Sequence, residues 1–212
     1  LAPYGVDRLQ IEALDDTFSD SKTFGSLTEL PEALSEHLSD LSGRIQSAQK
    51  NGDLYSRQAA IDVSRLLDQA RILGMRFDVV AANPPYMGRK AMPARLQALV
   101  DARFPISRAD LYACFIERAG QSLKSSGIGA IVSMDSWMYG DDYNELREEF
   151  LEDRLLYSLA HLGPHAFPEI PGEVVQVAAI CFSRHLVPGY VSSFHDLRAL
   201  KTSEDKAIGL AA

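Results

Sequence analysis

The stretch that most limits what this chain can fold into is Phe77-Asp78-Val79-Val80-Ala81-Ala82-Asn83-Pro84-Pro85-Tyr86, a run of strand formers cut off by two successive prolines. Proline has no N–H to give to a ladder and holds φ fixed, so a strand reaching Ala82 must stop and hand over to a rigid turn. Downstream, Leu111, Phe115, Ala119 and Leu123 recur at helical spacing before Gly127, and Ile128 to Met134 reads as a second buried strand. Strand, crossover helix and strand together predict an α/β sheet that is parallel at first.

The rest of the chain falls into place around that unit. Residues 1–28 show weak periodicity and predict a loop-rich opening segment. Residues 29–74 predict a helical hairpin: Leu30, Leu34, Leu38, Leu41, Ile45 and Ala48 form one stripe, capped by Ser26 or Thr28 with Pro31 in the first turn. Asn51-Gly52 breaks it, and Ala59, Val63, Leu66, Leu67, Ala70 and Leu73 form the second stripe. Residues 75–186 carry the sheet. After the second strand come a short helix near 142–151, a strand near 155–160, a Gly/Pro-rich loop over 163–172 and a last strand over 174–182 that can return antiparallel. Residues 187–212 predict an irregular C-terminal segment.

At 46% hydrophobic, 24% charged and 8% aromatic, the composition excludes a disordered, collagen-like or coiled-coil chain. No apolar run is long enough for a membrane span. Cys114 and Cys181 form no C-x-x-C pair and are too few for a disulfide framework, so both are expected as buried thiols in a reducing cytoplasm. The net charge of −8 is the wrong sign for a protein that holds nucleic acid over its whole surface, but the charge is uneven. Residues 1–40 carry two basic against nine acidic residues, whereas Met87 to Arg108 carries Arg89, Lys90, Arg95, Arg103 and Arg108 against Asp101 alone. The cationic stretch directly follows the double proline.

Ligands of open α/β sheets bind beyond the carboxyl ends of the strands, where Asn83-Pro84-Pro85-Tyr86 sits. The turn offers backbone carbonyls in a fixed geometry, the Asn83 side-chain carbonyl and the Tyr86 ring, a set suited to a planar amine. In FDVVAANPPY this turn resembles the catalytic motif of the S-adenosylmethionine-dependent DNA adenine-N6 methyltransferases. ADLYACFIERA, LKSSGIGAIVSMDSWM and LAHLGPHAFPEIPGEVVQVAAICF resemble the following helix, strand and final antiparallel hairpin of their Rossmann-like fold. With TFGSL and NPPYMGRKAM, the wording is most similar to the large methyltransferases of the BREX phage-exclusion systems, the PglX type, over most of residues 17–184.

The resemblance implies roles for particular residues. Asn83 and Pro84 would accept hydrogen bonds from the N6 amine of an adenine flipped out of double-stranded DNA, with Pro85 stiffening the turn and Tyr86 stacking on the base. Phe167 would supply a second aromatic contact to that base, and Phe115 would line the cofactor's adenine. Arg89, Lys90 and Arg95 would meet DNA phosphates. The Gly-rich loop and ribose-binding acid with which such enzymes hold S-adenosylmethionine are not visible, because no G-x-G follows a strand before Asn83. The resemblance therefore implies a fragment that by itself neither binds the cofactor nor methylates DNA. Its first strand would have an open edge that invites self-association, and its further partners would be other phage-defence components.

Alternatives remain at this level. The same turn suits a protein glutamine amide or an RNA base, and the acidic net charge suits a non-catalytic docking module. Phe115 shares an i, i+4 stripe with Leu111 and Ala119 and suits core packing as well as a cofactor contact. Phe167 suits a core anchor or a base contact alike, and Trp137 suits packing. His161 and His165 have the spacing of a helical metal pair, but Gly163-Pro164 between them forbids the helix, so no metal site is expected.

Overall fold

The computed structural model describes residues 1–167 and 175–211 and divides into two compact units, Leu1–Met75 and Arg76–Ala212. The first unit is helical. Where the sequence predicts a loop-rich opening segment there are instead α1 (Arg8–Phe18) and the short α2 (Ser21–Phe24). The Asp7 carboxylate accepts the Leu9 N–H at 3.0 Å and the Gln10 side chain accepts the Asp7 N–H at 3.2 Å, a reciprocal cap that satisfies two helix-end donors. That Asp-x-x-Gln signature is legible in the sequence; weak periodicity hides it, since α1 buries only Leu14 and Phe18.

The predicted hairpin is present as α3 (Glu32–Asn51) and α4 (Leu54–Gly74). Pro31 itself stands at the N-cap of α3, and neither Ser26 nor Thr28 caps it, because the helix starts one residue after the proline. Gly52 ends α3, and the Asp53 carboxylate accepts the Ser56 N–H at 2.7 Å to start α4. Leu34, Leu41, Ile45 and Ala48 pack against Ala60, Val63, Leu67 and Ala70, with Leu14 and Phe18 of α1 in the same cluster. The first buried residue of α4 is Ala60 rather than Ala59, in step with Val63, Leu67 and Ala70 at helical period.

The second unit is an α/β sheet. Its elements are β1 (Phe77–Ala82), α5 (Ala94–Arg103), α6 (Leu111–Ser122), β2 (Leu123–Met134), α7 (Asn144–Asp153), β3 (Leu155–Gly163), β4 (Val177–Ser183), β5 (Ser193–Asp196) and α8 (Ser203–Ala211). The strand order is β1-β2-β4-β3-β5. β1 pairs parallel with β2, and β4 runs antiparallel to both β2 and β3, so β1, β2 and β3 point the same way. The predicted final antiparallel hairpin is β3 and β4, with β4 inserted beside β2; the start predicted for the last strand, near 174, lies outside the described residues.

Residues 187–211 are not irregular throughout. β5 pairs parallel with β3, and α8 is tied on by Lys206, whose Nζ donates to the Leu162 and Leu197 carbonyls at 2.7 and 2.8 Å. Lys206 is buried, which lowers its pKa. The four-residue β5 has no apolar alternation, so its pairing with β3 is a tertiary event.

The core of this unit packs Tyr112, Ile116 and Ala119 of α6 and Leu146 and Phe150 of α7 against Ile131, Leu159, Ile180 and Phe182 of the sheet. Gly129 is required here. A Cβ at that position would lie 2.4 Å from the Phe182 ring, which is fully buried and has nowhere to go. Among the described residues β1 is a sheet edge, with Val79 65% exposed.

Candidate active site at the carboxyl end of the first strand

The turn Asn83 to Tyr86 leaves the carboxyl end of β1, as predicted from its prolines. Asn83 and Pro85 are exposed, Pro84 is buried and Tyr86 is half-buried, so the turn has one anchored residue and an accessible amide. The Tyr86 hydroxyl donates to Asn83 Oδ1 at 3.5 Å, a long and weak contact that leaves the oxygen free to accept more. Burial raises the Tyr86 pKa, so the ring stays neutral.

What holds the turn is a residue that the sequence reading did not single out. Asp110 caps α6: its carboxylate accepts the Tyr112 N–H at 3.2 Å and also the Met87 N–H at 3.0 Å, one residue past the turn. The backbones add Leu111 N–H to Met87 O at 3.0 Å and Arg89 N–H to Ala109 O at 2.9 Å. Burial raises the Asp110 pKa, and the backbone N–H groups pull against that shift. An aspartate one residue ahead of an apolar helix is a readable cap signal; its second bond, across 23 residues, is not. From the same helix Tyr112 braces Tyr86 edge-on, with ring centroids 6.0 Å apart at 85°, and its hydroxyl shares a 2.8 Å hydrogen bond with Ser136 Oγ after β2.

The cationic segment is placed less simply than its sequence implies. Arg89 is held bidentately by Asp101 of α5, Nε to Oδ1 at 2.9 Å and Nη2 to Oδ2 at 2.5 Å. This pair raises the Arg89 pKa and lowers that of Asp101. Lys90 and Arg95 are exposed. Arg89, Lys90 and Arg108 line one part of a cleft of about 720 Å³ whose lining also includes Asp141, Asp142 and Glu145. Those carboxylates offset the cations that the sequence shows as an isolated run.

The other candidates separate. Phe115 is half-buried on α6, and among the described residues it belongs to neither core cluster. Phe167 is half-buried just after β3, with residues 168–174 of its loop outside the description. Trp137 is core: it is 5% exposed and packs on Phe150 with centroids 5.7 Å apart. Among the described residues no group of His, Cys, Asp and Glu can hold a metal, and no helix is long and apolar enough to cross a membrane. His161 instead donates from Nε2 to Asp135 Oδ2 at 2.7 Å, while His165 is exposed with φ +60°.

Of the two expected buried thiols only Cys114 is buried; Cys181 is half-exposed, because it alternates with the core residues Ile180 and Phe182 along β4. Burial pushes the Cys114 thiol up to about 12. At pH 8 it then holds only about one thiolate in ten thousand. Alkylation followed by peptide mapping is expected to mark Cys181 and leave Cys114 unmodified until the protein is unfolded.

A family model for the Eco57I restriction-modification methylases matches residues 10–167, spanning the helical hairpin and the turn after β1. The chain belongs to that family. It is 40% identical over 162 residues to the adenine-specific methyltransferase BrxX of Escherichia coli O9:H4 (strain HS), covering 76% of this chain and 13% of that protein. It is 33% identical over 136 residues to the adenine-specific methyltransferase PglX of Lacticaseibacillus casei (strain Zhang), covering 64% of this chain and 11% of that protein. The chain thus spans only a small part of the length of either relative. In fold it is similar to the Type ISP restriction-modification enzyme LlaGI, solved as a nuclease-deletion mutant with a DNA substrate mimic. The TM-score is 0.51 at 18% identity, over 72% of this chain and 17% of that one. The methylase fold expected from the sequence is thus borne out, α/β with a mixed sheet.

Proposed function

We propose that this chain carries the target-base side of the active site of an S-adenosylmethionine-dependent DNA adenine-N6 methyltransferase of phage defence or restriction-modification. The observation that carries the reading is an accessible Asn83 amide and a braced Tyr86 ring on a double-proline turn beyond a strand end, in a member of a restriction-modification methylase family. Asn83 Oδ1 and the Pro84 carbonyl accept the two N6 protons of a flipped adenine. This turns the nitrogen lone pair out of the ring plane, so catalysis is positioning and fixed dipoles rather than a strong base. Tyr86 stacks on one side of the base, with Phe167 as the second aromatic contact.

S-adenosylmethionine, when bound, supplies an electrophilic methyl group on a sulfonium. Of the residues present, Phe115 fits a contact to its adenine ring, being an apolar side chain left half-open outside both clusters. No G-x-G follows a strand before Asn83 to add backbone contacts of the Gly-rich kind. Incubating the full-length protein with double-stranded DNA and S-adenosylmethionine, then digesting to nucleosides, is expected to give N6-methyladenine. Methyl groups found only on protein glutamine or RNA would overturn the reading.

Two substitution results follow from the geometry. Tyr86→Phe removes the 3.5 Å contact to Asn83 and should keep most activity, whereas Tyr86→Ala removes the stacking face and should cost ~5- to 150-fold, from ~1–3 kcal/mol per stacked base. Equal losses would assign the role to the hydroxyl. Neutralising Arg89, Lys90 and Arg95 together should weaken DNA binding and flatten its salt dependence without changing the recognised sequence. With Arg89 committed to Asp101, its own share of that change should be smaller than that of the exposed Lys90. An unchanged salt slope would leave these residues as ordinary surface charges.

A further inference from the structure

The strand ends hold a polar cluster that the methyl-transfer reading does not use. Asp135, immediately after β2, is only 2% exposed, and both of its carboxylate oxygens are engaged: Oδ2 accepts from His161 Nε2 at 2.7 Å and Oδ1 from the Tyr139 hydroxyl at 2.6 Å. A carboxylate this deep costs several kcal/mol to desolvate unless it is fully partnered, so mere packing would be better served by an apolar residue. His161 lies near the end of β3, pairs with Asp196 of β5, and returns its carbonyl to the Leu197 N–H at 3.0 Å. Asp196 is itself bound to Arg198 at 2.7 Å. On its other side the turn holding Asp135 continues to Ser136, the partner of the Tyr112 hydroxyl, and Tyr112 braces Tyr86. One run of contacts therefore joins the wall of the turn at Tyr86 to the strand end from which the chain runs on to Phe167.

We propose that Asp135 and His161 are positioning residues that lock the end of β3 to the end of β2 and so set the separation of Tyr86 and Phe167 at which a flipped base is captured. The inference rests on the base-flipping reading above. Neither residue touches the reacting atoms. A displacement of about 1 Å at such a site costs on the order of 10²-fold in rate, which makes a remote pair of this kind measurable.

The test uses the full-length protein, with DNA carrying 2-aminopurine at the methylated adenine for flipping and unmodified DNA for turnover. His161→Phe leaves Asp135 Oδ2 without its partner, whereas His161→Gln keeps an amide donor close to the position of Nε2. Assayed well below its lowered melting temperature, His161→Phe is expected to reduce kcat at least ~10-fold and reduce the fluorescence rise with the KM for DNA little changed, and His161→Gln to recover most of the loss. Wild-type kcat and fluorescence in His161→Phe, while Asn83→Ala is inactive, would overturn the positioning role and leave the methyltransferase reading standing. Equal loss in Phe and Gln variants, tracking a lowered melting temperature, would overturn it too and make the pair structural. Absence of adenine methylation in the wild type would remove the function and this role together. Should His161→Phe fail to fold, Tyr139→Phe on a ring 60% exposed cuts the other bond to Asp135. It should lower kcat ~3- to 10-fold, as loss of one hydrogen bond worth ~1 kcal/mol implies, and no change would overturn the proposal.

Discussion

Asn83→Ala in the full-length protein is expected to reduce adenine methylation at least ~10²-fold while the protein stays folded and keeps binding DNA. Removing one pre-organised polar group aimed at the reacting centre typically costs ~10²–10³ in rate, because the group is strongest when the transition state forms in a site that already faces it. The fold gives no reason for a stability loss. Asn83 is exposed, and the bond its side chain accepts from Tyr86 is a long 3.5 Å, so the change should fall within the ~0.5 kcal/mol usual for surface positions. Single-turnover methylation with saturating DNA measures the effect directly. Near-normal rates would sink the assignment of the turn, and lost activity with a lowered melting temperature would point to a structural role instead.

The largest expected effect on stability is at the opposite extreme of burial. Phe182→Ala should destabilise the protein by ~3–5 kcal/mol, the usual range for deleting a buried phenyl group, against the ~5–15 kcal/mol that holds a typical domain together. Phe182 is fully buried in β4, lies 5.1 Å from Phe150 at 64°, and covers Gly129 on the neighbouring strand. Its ring also underlies the buried Arg154, whose guanidinium carbon is 5.8 Å from the ring centroid and whose Nη1 makes no hydrogen bond among the described residues. Burial lowers the Arg154 pKa, so removing the ring takes favourable contact from a cation that is already poorly solvated. Urea denaturation should show a lower midpoint with an unchanged slope, and Phe182→Leu should recover much of the loss. A change below about 1 kcal/mol would mean that the core is centred elsewhere.

The chemistry of the turn was legible because it is local. Two prolines after a strand run fix the backbone whatever surrounds them, so Asn83 to Tyr86 could be placed at a strand end from ten residues of sequence. The hairpin of α3 and α4 was legible for a similar reason, since one-sided burial writes itself into the spacing of Leu34, Leu41 and Ile45. Elements with little periodic burial were not. α1 buries two side chains, and β5 exists only because β3 offers it an edge.

The sequence by itself determined the double-proline turn, the strands that flank it, the helical hairpin and the resemblance that placed the chain among DNA methylases. Tertiary structure alone decided which groups hold that turn and which charges remain available. Asp110 reaches Met87 across 23 residues, Asp101 takes Arg89 out of the cationic run, and Asp135 finds His161 from 26 residues away. Hydrogen bonds and ion pairs depend on distances of about 3 Å between side chains, and sequence separation carries no information about such distances once the chain has turned back through a sheet.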